Sequence, residues 1–506
     1  MKLYDKFICI SLKYALKPAF TFLNSDLKCK TYTYGELFDK VELVANNLRK
    51  LNLKNTLVGL LMSSQEDQMI HYLASLSCDL VPAILTPYNR KLNREYYIKT
   101  MEKVISNCNF SVIITDVLDL KLDIPIISPY SISNINDGVL TSNCVDAVFL
   151  QFSSGTTGIK RGVLVSDEAV LEQLRIYSNV IGLSHNDCIV SWLPLYHDMG
   201  FIACLNMPLA YGVHTVVIHP IDWVSDPSLY IKALSIFRGT LGWNPNFAYA
   251  FMADRVKDDL QVDLSSVRKL FNCSEPVTRE SQTKFISKFS SKNLKPNVFC
   301  GCYAMAETTF AVTYGESTDP GYYDNSSIMS SCNHVSVGRA LPNTEIKLVD
   351  GEFWIKSPFN AFGYFNNPEA SMNAFTDGWY KTGDLGYKVG DEFFVCGRKK
   401  DLIIISGVNF YPNDLEDALN DVSGIIPGRV VAFSVYDSNL QTERAVILAE
   451  TSLEDYTIVL IEARKRLLSS FQISNFVINM VPVGWLIKSS AGKIARSANK
   501  EKWLNV

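Results

Sequence analysis

Short apolar runs alternate with helix-period stretches from Val58 onward, and this alternation limits the fold more than any other feature of the chain. Val58-Gly-Leu-Leu-Met62 reads as a buried strand, and Gln65–Cys78 as an amphipathic helix with Met69, Tyr72, Leu73 and Leu76 on one face. Leu80–Leu85 reads as a strand, and Pro82 makes it an edge or an irregular one, because proline cannot donate to a ladder. Tyr96–Ser106 is helical and Phe110–Thr115 a third strand. Strands separated by helices imply an α/β fold with a parallel sheet and crossover helices. The stretch Asp119–Asn143, rich in Ser, Asn, Pro and Asp, reads as a surface excursion.

The alternation resumes with a helix at Asp167–Val180, a strand at Cys188–Trp192, an apolar helix at Phe201–Tyr211 and a strand at His214–His219. Helices at Pro227–Phe237 and Phe247–Val256 and strands at Val267–Asn272 and Asn297–Cys300 follow. Ser336–Val395 is β-rich, with Gly and Asn turns. Beyond Gly397 a smaller α+β unit fits, with strands at Leu402–Ser406, Val430–Ser434 and Arg444–Glu450 and helices at Asn413–Asp421 and Leu453–Leu468. At 506 residues more than one core is expected. The charged segment Arg398–Asp401 is the predicted joint between residues 1–397 and 402–506.

A net charge of −4 and the absence of any basic run of five residues exclude nucleic acid as the main partner. The twelve cysteines have no Cys-x-x-Cys spacing, and the six histidines are dispersed, so zinc is not expected and the thiols read as reduced in a cytoplasmic protein. Lys2, Asp5, Lys6, Lys13 and Lys17 break up the apolar residues before Phe22. No uncharged run reaches the roughly 18 residues that span a bilayer, so neither a transmembrane segment nor a signal peptide is expected.

Chemistry concentrates after the β-prone run Val148–Phe152. Ser153, Ser154, Gly155, Thr156, Thr157 and Gly158 offer hydroxyls and flexible backbone, and Lys160 and Arg161 follow at once. Amides and hydroxyls on such a loop can replace water around a polyphosphate while the cations neutralise it. Taken alone, the loop also fits a Ser/Thr/Gly surface turn. Later segments are as distinctive in order as in content: Leu193-Pro-Leu-Tyr-His-Asp-Met-Gly200, Gly242-Trp-Asn-Pro-Asn-Phe-Ala-Tyr249, Asn272-Cys-Ser-Glu-Pro276, Gly301-Cys-Tyr-Ala-Met-Ala-Glu-Thr-Thr309, Trp379-Tyr-Lys-Thr-Gly-Asp-Leu-Gly386, Gly397-Arg-Lys-Lys-Asp-Leu-Ile403 and Lys488-Ser-Ser-Ala-Gly-Lys-Ile-Ala-Arg496.

From about Tyr34 to Arg496 this ordered set resembles the adenylate-forming superfamily of acyl-CoA synthetases, peptide-synthetase adenylation domains and luciferases, and its wording looks most like the fatty acyl-AMP ligases. The resemblance implies a large domain of mixed and parallel sheets with a β-rich subdomain, and a small, mobile C-terminal α+β domain turning about Lys400, with Ser406–Asn409 lining the approach of the acceptor thiol. It implies ATP and Mg²⁺. The nucleotide contacts would be the loop Ser153–Gly158, Arg161 (where the family usually has lysine), Ser274, Glu275, Pro276, Tyr303, Ala304, Met305, Asp384 and Arg398. Catalytic roles would fall to His197, Glu307 and Lys493, with Glu307 also on the metal. Asp198, Trp243, Asn246 and Phe247 would line the acyl pocket, with Phe201 and Leu205 as further apolar candidates.

Each residue also has a plainer account: Asp198 as a helix cap, Trp243 as core, Glu307 as a surface helix residue, Asp384 in a turn after Gly383, Lys493 as a solvated charge. The implied reaction joins a fatty acid to AMP and hands the acyl group to an acyl carrier protein. The stretch between Glu307 and Thr344 has no room for the full insertion that the family associates with failure to use coenzyme A, so coenzyme A stands as the alternative acceptor. An aryl or amino acid substrate, and a silent acyl- or nucleotide-binding homologue, are the rival classes.

Overall fold

The structure is a computed structural model that describes residues 1–88, 94–116, 124–129, 146–153, 161–319, 335–405, 408–437, 442–473, 475–488 and 493–505. Its largest sheet runs in the order Arg339–Ala340, Thr313–Glu316, Phe299–Gly301, Lys269–Cys273, Leu241–Pro245, Cys188–Ser191, His214–Ile218, Pro18–Leu23 and Cys29–Thr33. The six strands from Phe299–Gly301 to Pro18–Leu23 are parallel, and antiparallel partners finish both edges. The central strands are buried along their length and mostly apolar, as parallel strands covered on both faces are, with Ser191, Thr215, Asn244 and Asn272 as buried polar residues among them. A second, wholly parallel sheet runs Val81–Ile84, Leu57–Leu61, Val112–Thr115, Ile126–Ile127. Pro82 lies on its edge strand, as its missing N–H requires. Most of Asp119–Asn143 lies outside the described residues.

The helix read at Asp167–Val180 forms with those bounds, capped by Ser166, whose hydroxyl accepts the Ala169 N–H at 3.1 Å. The apolar segment at 201–211 differs from expectation. Met199–Asn206 winds as a π-helix and only Met207–Tyr211 as an α-helix. The Asn206 amide donates to the Phe201 carbonyl at 2.9 Å and accepts from the Tyr72 hydroxyl at 2.8 Å, so a side chain satisfies backbone that the wider turn would leave open. The N-terminal residues, to which the sequence assigned no elements, form helices Leu3–Lys13 and Tyr34–Leu48 and supply the two strands at one edge of the main sheet.

The β-rich region builds an antiparallel sheet of Glu345–Val349, Glu352–Lys356, Phe375–Thr376, Trp379–Val389 and Glu392–Arg398. Residues from Ile403 onward pack around a core of their own, with Ile403, Leu415, Leu419, Ala432, Ile447, Ala463 and Leu467 buried together. Their main sheet pairs Val430–Asp437, Thr442–Thr451 and Phe476–Pro482. No helix among the described residues is long and apolar enough to cross a membrane.

Trp243, expected on a pocket wall, is core. It is fully buried, lies parallel to Phe271 of the neighbouring strand with ring centroids 4.2 Å apart, and donates from Nε1 to the Tyr177 hydroxyl at 3.1 Å. Phe201 and Leu205 are likewise interior. Strand alternation sends Trp243 into the layer between sheet and helix, so the wall begins only after the strand ends at Pro245. Trp243→Ala is therefore expected to lower the unfolding free energy by about 3–5 kcal/mol, measured by urea denaturation, as cavity formation does for a buried aromatic.

Candidate active site

In a parallel sheet the chain leaves every strand at the same rim, and side chains distant in sequence converge there. Four neighbouring strands of the main sheet end at Ser191, Pro245, Cys273 and Gly301. Their exits carry His197 and Asp198, Asn246 and Phe247, Ser274 to Pro276, and Tyr303 to Met305. All of these face one cleft of about 3020 Å³. The β-rich sheet adds Asp384 and Arg398, the Phe149–Ser153/Arg161–Val165 hairpin adds Ser153 and Arg161, the joint adds Lys400 and the C-terminal unit adds Lys493. Ser154, Gly155, Thr156, Thr157 and Gly158 lie outside the described residues, as do Ser406 and Gly407. The register Ser153↔Arg161 brings the two ends of the Ser/Thr/Gly loop side by side.

At one end of the cleft Asp384 is the hub. It lies within the long strand Trp379–Val389 rather than in a turn, directly opposite Arg398 of the next strand. Its Oδ1 accepts from Arg398 Nε at 2.9 Å and its Oδ2 from the Tyr303 hydroxyl at 2.5 Å. Burial, reinforced by the Asp384 charge, holds the Tyr303 phenol far above its ordinary value, so it stays a donor. The Tyr303 ring packs toward Phe353, 5.9 Å between centroids.

A second cluster centres on Glu307. It is not a surface helix residue but a buried carboxyl on the 3₁₀ turn Ala306–Thr308. Tyr364 donates to its Oε1 at 2.9 Å, and the Arg161 guanidinium stacks on the Tyr364 ring at 5.1 Å. Tyr364 thus links the cation beside the loop to the carboxylate. Nothing in its local sequence announced it. The described residues hold no group of three or more His, Cys, Asp or Glu that could cage an ion. One hard carboxylate facing a polar cleft fits Mg²⁺ only in the way that ion is often held, with phosphate oxygens and water completing the octahedron.

The third cluster joins His197, Asp198 and Lys493. Pro194 and Gly200 close a tight turn, since a Cβ at Gly200 would lie 2.4 Å from the Pro194 carbonyl oxygen. His197 Nδ1 meets Asp198 Oδ1 at 2.6 Å, and the Met199 N–H donates to the same oxygen at 2.8 Å. Burial works against the Asp198 charge, but His197, the Met199 amide and Lys493 outweigh it and hold the carboxyl below its ordinary value. Lys493 donates its ammonium to the Ser274 carbonyl. Ser274 itself sits at φ +73°, a conformation costly for a serine and met here at the rim. Beside it Glu275 accepts the Phe247 N–H at 2.5 Å. Burial raises its carboxyl while Lys493 opposes that rise. Asn246 ties the exits of two strands together, accepting from Asn272 at 2.9 Å, from the Thr278 N–H at 3.1 Å and from the Ser281 hydroxyl at 2.5 Å.

Next to His197 the wall turns apolar. Trp192 and Trp223 stack at 3.6 Å, and Phe247, Phe251, Ile221 and Val224 complete the patch. Of these only Phe247 was singled out from sequence. Trp223 and Ile221 ride on the short helix Pro220–Ser225, whose readable signal was Pro220 at its first position after the His219 cap.

Burial raises the Glu307 carboxyl from its ordinary 4.5. Above that value the folded protein keeps a proton that the unfolded chain releases, so this group costs stability increasingly as pH climbs through its raised value. Glu307→Gln, which keeps an acceptor for Tyr364, is expected to melt higher than the parent at mildly alkaline pH. By differential scanning calorimetry the gap should close toward pH 4.5.

A family profile described as AMP-binding enzyme matches residues 12–365. The chain is 32% identical over 412 residues to the probable long-chain-fatty-acid–AMP ligase FadD30 of Mycobacterium tuberculosis (strain CDC 1551), an alignment covering 69% of each chain. It is 29% identical over 320 residues to the medium-chain-fatty-acid–[acyl-carrier-protein] ligase TtuA of Teredinibacter turnerae, covering 55% of this chain and 50% of that one. A solved structure from work on the fatty acyl-adenylate ligases of E. coli and L. pneumophila superposes with a TM-score of 0.88 at 24% identity, over 100% of this chain and 98% of that one, which establishes the fold. With the profile spanning most of its length and a relative above 30% identity across more than two thirds of it, the chain belongs to the AMP-binding enzyme family and is an adenylate-forming ligase.

Proposed function

We propose that this enzyme activates a medium- or long-chain fatty acid as its acyl-adenylate and passes the acyl group to the phosphopantetheine thiol of an acyl carrier protein. In the first half-reaction a carboxylate oxygen attacks the α-phosphorus of ATP in line, the bond to the β-phosphate oxygen breaks, and pyrophosphate leaves. In the second the thiol sulfur attacks the acyl carbon of the mixed anhydride, losing its proton, and AMP departs. The protein's contribution is position and charge.

The observation that carries this proposal is the Lys493 ammonium, supplied by the C-terminal unit, on the Ser274 carbonyl at the rim of the main sheet. An ammonium among Asp198, Glu275 and the strand exits can stabilise charge developing between carboxylate and phosphate. Arg161 and the loop Ser153–Gly158 would face the phosphates, and His197 with Asp198 the acyl carboxylate. Asp384 would accept from the ribose hydroxyls, with Tyr303 on adenine, Arg398 holding Asp384, and Ser274–Pro276, Ala304 and Met305 framing the base. Glu307 would hold Mg²⁺, which screens the triphosphate charge when bound. The Trp192, Trp223, Phe247 and Phe251 patch suits an alkyl chain, and the named activities of FadD30 and TtuA support both a fatty acid and a carrier.

For the second half the unit 402–506 would turn on residues 398–401, about Lys400, withdrawing Lys493 and presenting the Ser406–Asn409 face. The Lys400 ammonium lies 3.9 Å from Asp401. Coenzyme A is the acceptor in the second version of this proposal, favoured by the short span from Glu307 to Thr344.

Lys493→Ala is expected to abolish acyl-AMP formation while sparing thioester formation from supplied acyl-AMP. Equal loss of both halves in separate assays would remove Lys493 from this role. Mass spectrometry of products from ATP, fatty acids of mixed length, holo carrier protein and coenzyme A is expected to show the acyl-carrier thioester. Acyl-coenzyme A alone would move the assignment to that acceptor.

A further inference from the structure

Gly383 stands immediately before Asp384 in a left-handed conformation, φ +70°, and a Cβ built there would meet nothing within 4 Å. Packing therefore does not hold this residue, and a glycine with that freedom needs other restraints to keep its neighbour in one place. Two polar pins supply them. The Thr382 hydroxyl donates to the Phe353 carbonyl at 2.8 Å and accepts the Asp384 N–H at 3.0 Å. The Gly383 N–H donates to Glu352 Oε1 at 3.0 Å.

Glu352 is 8% exposed, and its other oxygen takes the Lys399 ammonium at 3.1 Å. Lys399 directly follows Arg398, which pairs with Asp384. Two successive cations of the joint are thus seated on two carboxylates of one sheet: Arg398 on Asp384 and Lys399 on Glu352. A largely buried carboxylate is retained at a cost unless both of its oxygens are used, and here both are.

We propose that Glu352 is a positioning residue. It fixes the left-handed kink at Gly383 within the strand and so aims Asp384 at the nucleoside, and by anchoring Lys399 it makes the backbone free to swing only from Lys400 onward. The inference rests on the proposed roles of Asp384 and of residues 398–401. It assigns Glu352 no contact with substrate. Its two oxygens predict two separable defects. Removing the side chain frees the Gly383 amide, whereas removing only its charge leaves an acceptor for that amide but releases Lys399.

The test uses the full-length enzyme and four variants, with the two half-reactions measured apart and hydrogen exchange followed over 380–386. Glu352→Ala is expected to raise KM for ATP in pyrophosphate exchange by about tenfold with kcat nearly kept, and to speed amide exchange at Gly383, since misplacing a positioning group costs binding geometry before chemistry. Glu352→Gln should restore KM to within about twofold and slow exchange again, yet share with Lys399→Met a several-fold slower thioester step from supplied acyl-AMP. Asp384→Asn is the reference. If it leaves ATP affinity unchanged, the assignment of Asp384 fails, whatever Glu352 does. With Asp384→Asn impaired, a Glu352→Ala enzyme of normal KM, or a Glu352→Gln enzyme as defective toward ATP as Glu352→Ala, overturns the positioning role. A normal thioester step in both Glu352→Gln and Lys399→Met overturns the anchoring of Lys399. Should Glu352→Ala not fold, Glu352→Gln decides: a raised KM, or a normal KM with a thioester step as fast as the parent's, counts against the proposal, and a normal KM with a slowed thioester step supports it.

Discussion

Parallel pairing of the central strands is the constraint from which the site follows. Because the strands ending at Ser191, Pro245, Cys273 and Gly301 run in one direction, their last residues open onto one rim, and four stretches scattered over more than a hundred residues of sequence become neighbours. The antiparallel strands at both edges close the sheet without disturbing that alignment. A one-residue slip would turn Asn244 and Trp243 inside out, and the network from Trp192 Nε1 to Asn244 at 2.6 Å and from Asn244 to Tyr230 at 3.0 Å resists it.

Charges placed on the rim are handled by pairing, not by exposure. Asp384 answers Arg398 and Tyr303; Asp198 answers His197 and a backbone amide; Glu352 answers Lys399. Glu307 and Glu275 are less fully compensated: burial raises both carboxyls, against a tyrosine hydroxyl, backbone and the Arg398 charge for Glu307 and against Lys493 and the Phe247 N–H for Glu275. A group left costly in the folded protein is what a site built to gain a ligand looks like, because the ligand offsets the cost when it arrives. The strained serine at Ser274, next to the carbonyl that takes Lys493, belongs to the same economy of the rim.

The two parts of the chain meet through side chains more than through a shared core. The interior built from Ile403 onward is separate from that of the large sheets, and the contacts spanning the cleft are polar, Lys493 on Ser274 above all. Arg496 bonds to Glu416 at 2.7 Å and the Ala432 carbonyl at 2.7 Å within its own unit and to Asp401 of the joint at 2.9 Å, so the segment bearing Lys493 ends on a firm anchor.

Element type was legible in the sequence wherever periodicity or a cap had a local cause. The helix Asp167–Val180 could be read from its local pattern, and Pro82 narrowed Val81–Ile84 to an edge or an irregular strand. The motif order likewise carried the membership in the AMP-binding family, since it records which residues leave which strand. What the sequence could not state was direction and company. Trp243 suited both a pocket wall and the core, and strand parity, which points it at Phe271, decides for core; Asp384, read as a ribose-binding carboxylate with a turn as the plainer account, lies in a strand because Arg398 stands across from it; Tyr364 and Glu352 carried no local signal, because each acquires its part only from a partner on another strand or loop. Local order in a chain depends on nearest neighbours and is written there. Burial, pairing and charge compensation depend on residues far along the chain, and only the closed tertiary structure brings those within reach.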